Sequence, residues 1–262
     1  NLESNTVSNN SNYGIWLFDS SNNDLTSNKA SANNNGIYLS YSNYNGLTSN
    51  TVLNNTIHGI RLFSFSNNNN LTDNTVSNSN NGISLSGLSN NNTLASNTAS
   101  NNFVGIGLDQ SSNNTLTSNT VSSNTGEGIF LSVFSNNNNL VGNTAVNNTN
   151  YGIWLFDSSS YNNVTSNIVV NNSAGILLSE SSSYNNVISN TASNNDYGIW
   201  ILYSSNYNNV TDNTVSNNDY GIYLWDSSYN NVTSNMVLNN IHGIYLIVSS
   251  NNNLESNTVS NN

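Results

Sequence analysis

The sequence of 262 residues has no cysteine, no proline, one methionine and only two basic side chains, Lys29 and Arg61, against thirteen acidic ones. Without cysteine no disulfide framework can brace it, although this leaves the compartment open. Two isolated cations cannot displace counterions along a phosphate backbone, which excludes nucleic acid as a partner. An anionic membrane surface is excluded for the same reason. No run of 18 apolar residues is present, so nothing reads as a membrane-spanning helix. Only 6% of the residues are charged, where ordinary soluble domains carry about 25%. The polar surface is therefore uncharged, and Asn alone fills 69 positions.

What the chain does have is a repeat. The pair Gly-Ile recurs eleven times, at Gly14, Gly36, Gly59, Gly82, Gly105, Gly128, Gly152, Gly175, Gly198, Gly221 and Gly243, with spacings of 22 to 24 residues. Two residues after each Ile stands Leu, with Ile201 the one replacement. A Leu or Val column follows, from Leu2 and Leu25 to Val232 and Leu254, and five residues beyond each member is Val or Ala. Four apolar columns in three short groups, with Ile-x-Leu alternation and no 3.6-residue period, describe strands and not helices.

This pattern predicts an all-β fold: a right-handed, single-stranded parallel β-helix of about eleven rungs, each of 22 to 24 residues with three short strands. A left-handed hexapeptide helix would need multiples of six. Residues 1–262 form one domain on this reading. A disordered Asn-rich tract has no reason to keep four columns in phase. Asn also keeps register, three residues after each Leu/Val column member (Asn5 to Asn257) and two residues before it (Asn23 to Asn252). Asn suits corners, and stacked amides can bond along the axis as they do in cross-β ladders. The glycine before each Ile is expected to mark a third corner.

Stretches such as Gly221-Ile222-Tyr223-Leu224 followed by Asn230-Asn231-Val232-Thr233-Ser234-Asn235 carry a family resemblance. The pattern resembles the parallel β-helix repeats of the NosD-like and carbohydrate-binding/sugar-hydrolase group, over the whole chain. The resemblance implies the right-handed form and, through surface-layer proteins of methanogenic archaea that carry such repeats, an archaeal cell-surface protein. It implies no single activity, since the group mixes lyases, hydrolases, accessory proteins and plain surface proteins.

The search for chemistry by residue type finds little. Arg61, between Ile60 and Leu62, reads as a solvated charge on an outward strand position, as does Lys29 half a rung from its nearest Gly-Ile. His58 and His242 share a slot but lie about 38 Å apart at the rung spacing. With one Met and no Cys, no copper ligand set is apparent. No catalytic residue, cofactor or metal site is expected. Calcium bridging the same-slot carboxylates Asp157 and Glu180, or Asp196 and Asp219, is the one cofactor left open. Regular Thr ranks fit an ice-binding face and equally an ordinary strand. Sequons such as Asn70 and Asn163 follow from composition alone.

The outward aromatics are the more informative feature. Trp16, Tyr38, Phe130, Trp154, Trp200, Tyr223 and Tyr245 fall between Ile and Leu, and Phe18, Phe63, Phe156 and Trp225 fall just past the Leu. Alternation places them on one outer face, where an aromatic sheet marks a partner surface. Residues 1–10 and 253–262 are identical, so both ends expose the same point of a rung without a cap. The chain therefore reads as a mature protein or an excerpt of a longer array, without an N-terminal signal segment.

These readings lead to an expectation of a non-enzymatic extracellular or cell-surface structural protein, self-associating head to tail or laterally into a filament or surface layer. A carbohydrate-binding adhesion module using the aromatic face is the alternative, with polysaccharide or other envelope proteins as partners. A polysaccharide lyase or hydrolase comes third, disfavoured by the shortage of basic residues.

Overall fold

Three parallel sheets run the length of the chain in the computed structural model, which describes residues 1–262. The first and second sheets have 12 strands each, beginning with Leu2–Glu3 and Thr6–Ser8, and the third has 11, beginning with Tyr13–Phe18. No helix is present; accordingly, none is long and apolar enough to cross a membrane. Every strand pairs with its counterpart one rung away. Leu71 faces Leu47 and Leu94, Val76 faces Val52 and Ala99, and Ile83 faces Ile60 and Ile106. The protein is a right-handed parallel β-helix, the hand that parallel crossovers overwhelmingly take.

The apolar columns account for the core. The middle residue of each three-residue strand points inward, as do the Ile and Leu of each longer strand. Together they form one continuous cluster of 40 buried residues along the axis.

The corners follow a rule only partly visible in the sequence. Each consists of a residue in the left-handed region followed by an inward polar residue whose side chain bonds to the rungs beside it. Between the first and second sheets, Ser118 (φ 54°) precedes Asn119, and between the second and third, Ser123 (φ 55°) precedes Asn124. The third strand is left through Gln110 (φ 50°) and Ser111, and the first entered through Asn113 (φ 59°) and Asn114. There are thus three Asn ladders and one Ser ladder. The third Asn ladder runs from Asn10 to Asn262, with Ser79 its one substitution. It lies five residues after the first and was not among the two expected.

Glycine has a different role from the one expected. The repeated Gly lies inside the third-sheet strand, not at a corner; only Gly87 and Gly142 have positive φ. At Gly105 a Cβ would meet the Gly128 carbonyl oxygen at 2.6 Å and the Asn124 amide nitrogen at 2.8 Å. Glycine is required because backbone and ladder amide crowd this point. The spacing jitter also has a place. Ser-x-x-Asn-x-x-x-x-Asn-x-x-x-x-Asn is constant except for the serine at 79, and single residues are added only on the flanks of the third strand.

Asn119 shows what a ladder position contributes. Its side-chain oxygen accepts from the Asn97 backbone N–H (2.9 Å) and side-chain amide (3.0 Å), and its own amide donates to the Leu94 carbonyl (2.9 Å) and Asn143 (2.9 Å). Asn119→Ala leaves the buried Asn97 N–H and the Leu94 carbonyl without these partners, at about 1–3 kcal/mol each. A loss of roughly 2–5 kcal/mol is expected in urea unfolding, whereas outward-facing Thr120→Ala should change stability by less than about 1 kcal/mol.

Candidate functional site on the third sheet

The third strand of each rung presents three outward positions. Two were expected: the residue between Ile and Leu, and the residue after Leu. The third precedes the Gly. Strict alternation would put that residue on the face opposite the one three positions later. The strand instead turns at the glycine, which has no in-register partner, and the two side chains meet. Tyr13 stacks on Trp16 at 4.8 Å and Tyr197 on Trp200 at 4.1 Å between ring centroids. This turn brings Tyr151, Tyr197 and Tyr220 into the aromatic face. It also brings His58 to Arg61.

At that point the face is polar and incompletely bonded. Arg61 donates from one terminal nitrogen to His58 Nε2 (3.1 Å) and from the other to Ser86 Oγ (3.3 Å). Its guanidinium carbon lies 4.4 Å from the Phe63 ring centroid and 5.6 Å from that of Tyr38. It bonds to no carboxylate. An arginine has only donors, so His58 Nε2 must be the acceptor and the ring proton sits on Nδ1. Buried Asn35 Oδ1, His58 Nδ1 and Arg61 Nε all lack a hydrogen-bond partner. Half of the protein's six such atoms therefore gather at one place.

Burial and the Arg61 charge hold the His58 pKa down at about 4, so the imidazole is neutral at ordinary pH. Burial raises the Tyr38 pKa, partly offset by Arg61, and Tyr38 remains a phenol. Arg61 is thus not the freely solvated charge that its position suggested.

The eleven expected face residues all lie on this sheet, but in two patches. Trp16, Phe18, Tyr38 and Phe63 form the first patch, in which Tyr38 and Phe63 lie against Arg61. Phe130, Trp154, Phe156, Trp200, Tyr223, Trp225 and Tyr245 form the second patch. Between them, the Arg61 column continues as Ser84 and Gly107. Tyr38 and Tyr223 are only 8% exposed, because their rings pack on their neighbours. The second patch contains a cavity of about 210 Å³ lined by Tyr151, Trp154, Phe156, Leu177, Trp200, Tyr203 and the exposed Glu180, among others.

A separate tyrosine ladder, Tyr161, Tyr184, Tyr207 and Tyr229, stacks at another corner with centroids 5.0–5.1 Å apart and rings within 10° of parallel. Those rings cover one another's faces, leaving edges to solvent. The sequence signal for it was Tyr recurring one residue before the ladder Asn.

The comparisons follow from this architecture. A family model described as periplasmic copper-binding protein (NosD) matches residues 58–195 and 174–262. The chain belongs to the NosD family. A second model, right handed beta helix region, matches residues 1–112. No curated protein sequence matches the chain.

Among solved structures, the A-module of the Azotobacter vinelandii mannuronan C-5 epimerase AlgE4 is similar, with a TM-score of 0.74 and 13% identity over 97% of this chain and 80% of that one. The periplasmic alginate epimerase AlgG has a TM-score of 0.74 and 14% identity over 94% and 74%. The pectate lyase Pel9A has a TM-score of 0.54 and 14% identity over 86% and 70%. At such identities the likeness establishes the fold.

Copper, which the NosD description implies, does not fit the residues present. No group of three or more His, Cys, Asp or Glu side chains converges. His58 and His242 are eight rungs apart, and neither cysteine nor a second methionine is available. The carboxylates considered for calcium are likewise pairs at most.

These three similar structures are of two epimerases and a lyase. They overturn the expectation of a non-enzymatic, self-associating structural protein of a filament or surface layer. The enzymatic reading had been placed last because of the scarcity of basic residues along the chain. Folding sets one of the two against a buried histidine, so scarcity in composition is not scarcity at a site.

His58 generates a pH prediction for this NosD-family chain. Its folded pKa of about 4 lies below the unfolded value of about 6.5, so between the two the unfolded state holds more protons. Its stabilising contribution is therefore complete above about pH 6.5 and is lost as pH falls toward 4, up to roughly 3 kcal/mol. Urea unfolding of wild type and His58→Asn at pH 7 and pH 4.5 measures it. The wild type should lose stability across this interval by more than the variant does.

Proposed function

We propose that this chain is an enzyme acting on an acidic polysaccharide outside the cytoplasm, and that it moves a proton on the sugar carbon next to a carboxylate. The observation that carries this reading is Arg61, a cation bonded to no carboxylate and set beside a neutral histidine. In a chain with thirteen acidic side chains, an arginine held free of all of them is a ready partner for an external carboxylate.

The geometry supplies a sequence of events. A sugar carboxylate bidentate on Arg61 takes the terminal nitrogen from His58 Nε2. That frees the lone pair and also neutralises the charge that depresses the imidazole pKa. His58 becomes a stronger base as the substrate arrives. Arg61, paired with the carboxylate, stabilises the negative charge that develops when the neighbouring C–H bond breaks.

Tyr38, a phenol over which the guanidinium lies, is the proton donor on this face. Returning a proton to the opposite side of the same carbon inverts it. Expelling the adjacent glycosidic oxygen, which takes a proton as the bond breaks, leaves an unsaturated sugar. The fold's occurrence in alginate epimerases and a pectate lyase supports both outcomes. The periplasmic descriptions of the family and of AlgG support the location.

Incubation with alginate or polygalacturonate in deuterated water tests the reading. Deuterium should enter the carbon next to the carboxylate, detected by NMR, or absorbance near 230 nm should grow as unsaturated ends form. Arg61→Gln and His58→Gln should each lower the rate by about 100-fold or more. Activity equal to wild type in both variants, or no exchange and no new absorbance with any acidic polysaccharide, refutes the proposal.

A further inference from the structure

His58 and the rung before it hold two unsatisfied atoms of complementary kind. Asn35 and His58 occupy the same slot of adjacent parallel strands, paired in register, and both are buried, at 9% and 8% exposure. Rings stacked at this slot touch, as do Tyr197 and Tyr220 (5.1 Å between centroids) and Tyr220 and His242 (4.7 Å). Asn35 offers a buried acceptor without a donor, Oδ1, and His58 a buried donor without an acceptor, Nδ1–H.

The other half of the Asn35 amide sets the direction of its oxygen. The nitrogen donates to the Asn12 carbonyl in the preceding rung at 3.5 Å. The oxygen is the branch left toward the following rung, where His58 stands. Arg61 is what keeps the two apart: it holds the imidazole by Nε2 at 3.1 Å, and a ring anchored there is not free to swing Nδ1 onto the amide. The free fold therefore gains nothing from either atom, whereas a state that releases Nε2 lets them meet. With Arg61 as the seat of a substrate carboxylate, the arrival of substrate provides that state, and the part played by Asn35 in turnover rests on that reading.

We propose that Asn35 is a positioning residue for His58: once Arg61 leaves Nε2, Asn35 Oδ1 accepts the His58 Nδ1–H and holds the ring with Nε2 as the base. A hydrogen bond at one ring nitrogen fixes the tautomer and raises the basicity of the other. Asn81 flanks His58 from the opposite rung, but it is half-exposed and needs no partner from the protein. Few groups bear on the titration of His58. Arg61 is the one charge on its strand, and Tyr38 is the one titratable side chain on the strands packed against it, Asn35–Ser40, Thr51–Leu53, Thr75–Ser77 and Asn81–Ser86.

Imidazole NMR of the full chain tests the contact without recourse to activity. Arg61→Ala stands in for the departed guanidinium, and His242→Gln leaves a single histidine. In that background a slowly exchanging Nδ1–H proton should appear; Asn35→Leu should abolish it and Asn81→Leu leave it. Asn35→Leu should lower the His58 pKa there and Asn35→Asp raise it, each by about one unit. Because Leu keeps the shape of Asn and removes an oxygen that the free fold leaves unpaired, Asn35→Leu in the otherwise unaltered chain should unfold at or above the wild-type urea midpoint.

On alginate or polygalacturonate, Asn35→Leu should lower kcat about tenfold with KM unchanged. Asn35→Asp should restore the rate, with the acid limb of the pH profile moved to higher pH. No Nδ1–H signal in Arg61→Ala, a signal that persists in Asn35→Leu or depends on Asn81 instead, or an unaltered kcat and pH profile in Asn35→Leu overturns the proposal. A wild type that exchanges no deuterium yet shows the Asn35-dependent signal overturns the catalytic reading of Arg61 and leaves the contact between Asn35 and His58 standing.

Discussion

The structure depends on one contact repeated along the axis: a corner asparagine whose side-chain oxygen accepts from both the backbone and the side chain of its counterpart one rung away. A rung of about 23 residues buries only four aliphatic side chains, too few to hold its backbone ordered alone. The ladders convert each corner, where the chain must leave the sheet and its backbone groups lose their partners, into an inter-rung hydrogen-bonded stack. Asn is suited to this because one planar amide carries both acceptor and donors. The left-handed residue before it turns the chain so that the amide points inward.

Because the ladders and the apolar columns hold the scaffold, the outer positions of the third sheet are free to vary. That freedom is used unevenly. Many outward slots there hold rings that cover their neighbours, so part of the aromatic face is packing and not open surface. The ring column is broken at Arg61, between Tyr38 and Ser84, at Ser84 and Gly107 themselves, and at Leu177, between Trp154 and Trp200; the first and last of these breaks adjoin unpartnered polar atoms. Four of the six buried side-chain atoms without a partner lie beside these two breaks, and the other two are the ladder serines Ser79 and Ser182. Chemistry in a solenoid is found where the repeat departs from itself.

Charge separates the two breaks. Arg61 lies in a part of the sheet where it bonds to a neutral histidine and a serine. The gap at Leu177 has Glu180 on its rim, with Asp157 one rung below.

The fold was legible in the amino-acid order because its period is enforced by residues that cannot be exchanged: inward Ile, Leu and Val, ladder Asn, and a Gly whose missing side chain lets two backbones approach. Spacing alone determined the three sheets, their register and which aromatics share a face. Tertiary structure decided the rest. The turn at each glycine brings residues three apart onto one outer surface, against the alternation rule, and so joins His58 to Arg61 and Tyr197 to Trp200. The inward direction of the third Asn ladder depends on coordinates that no count along the chain supplies. A sequence read by residue type registers two scattered cations. Only the folded molecule determines what each one touches.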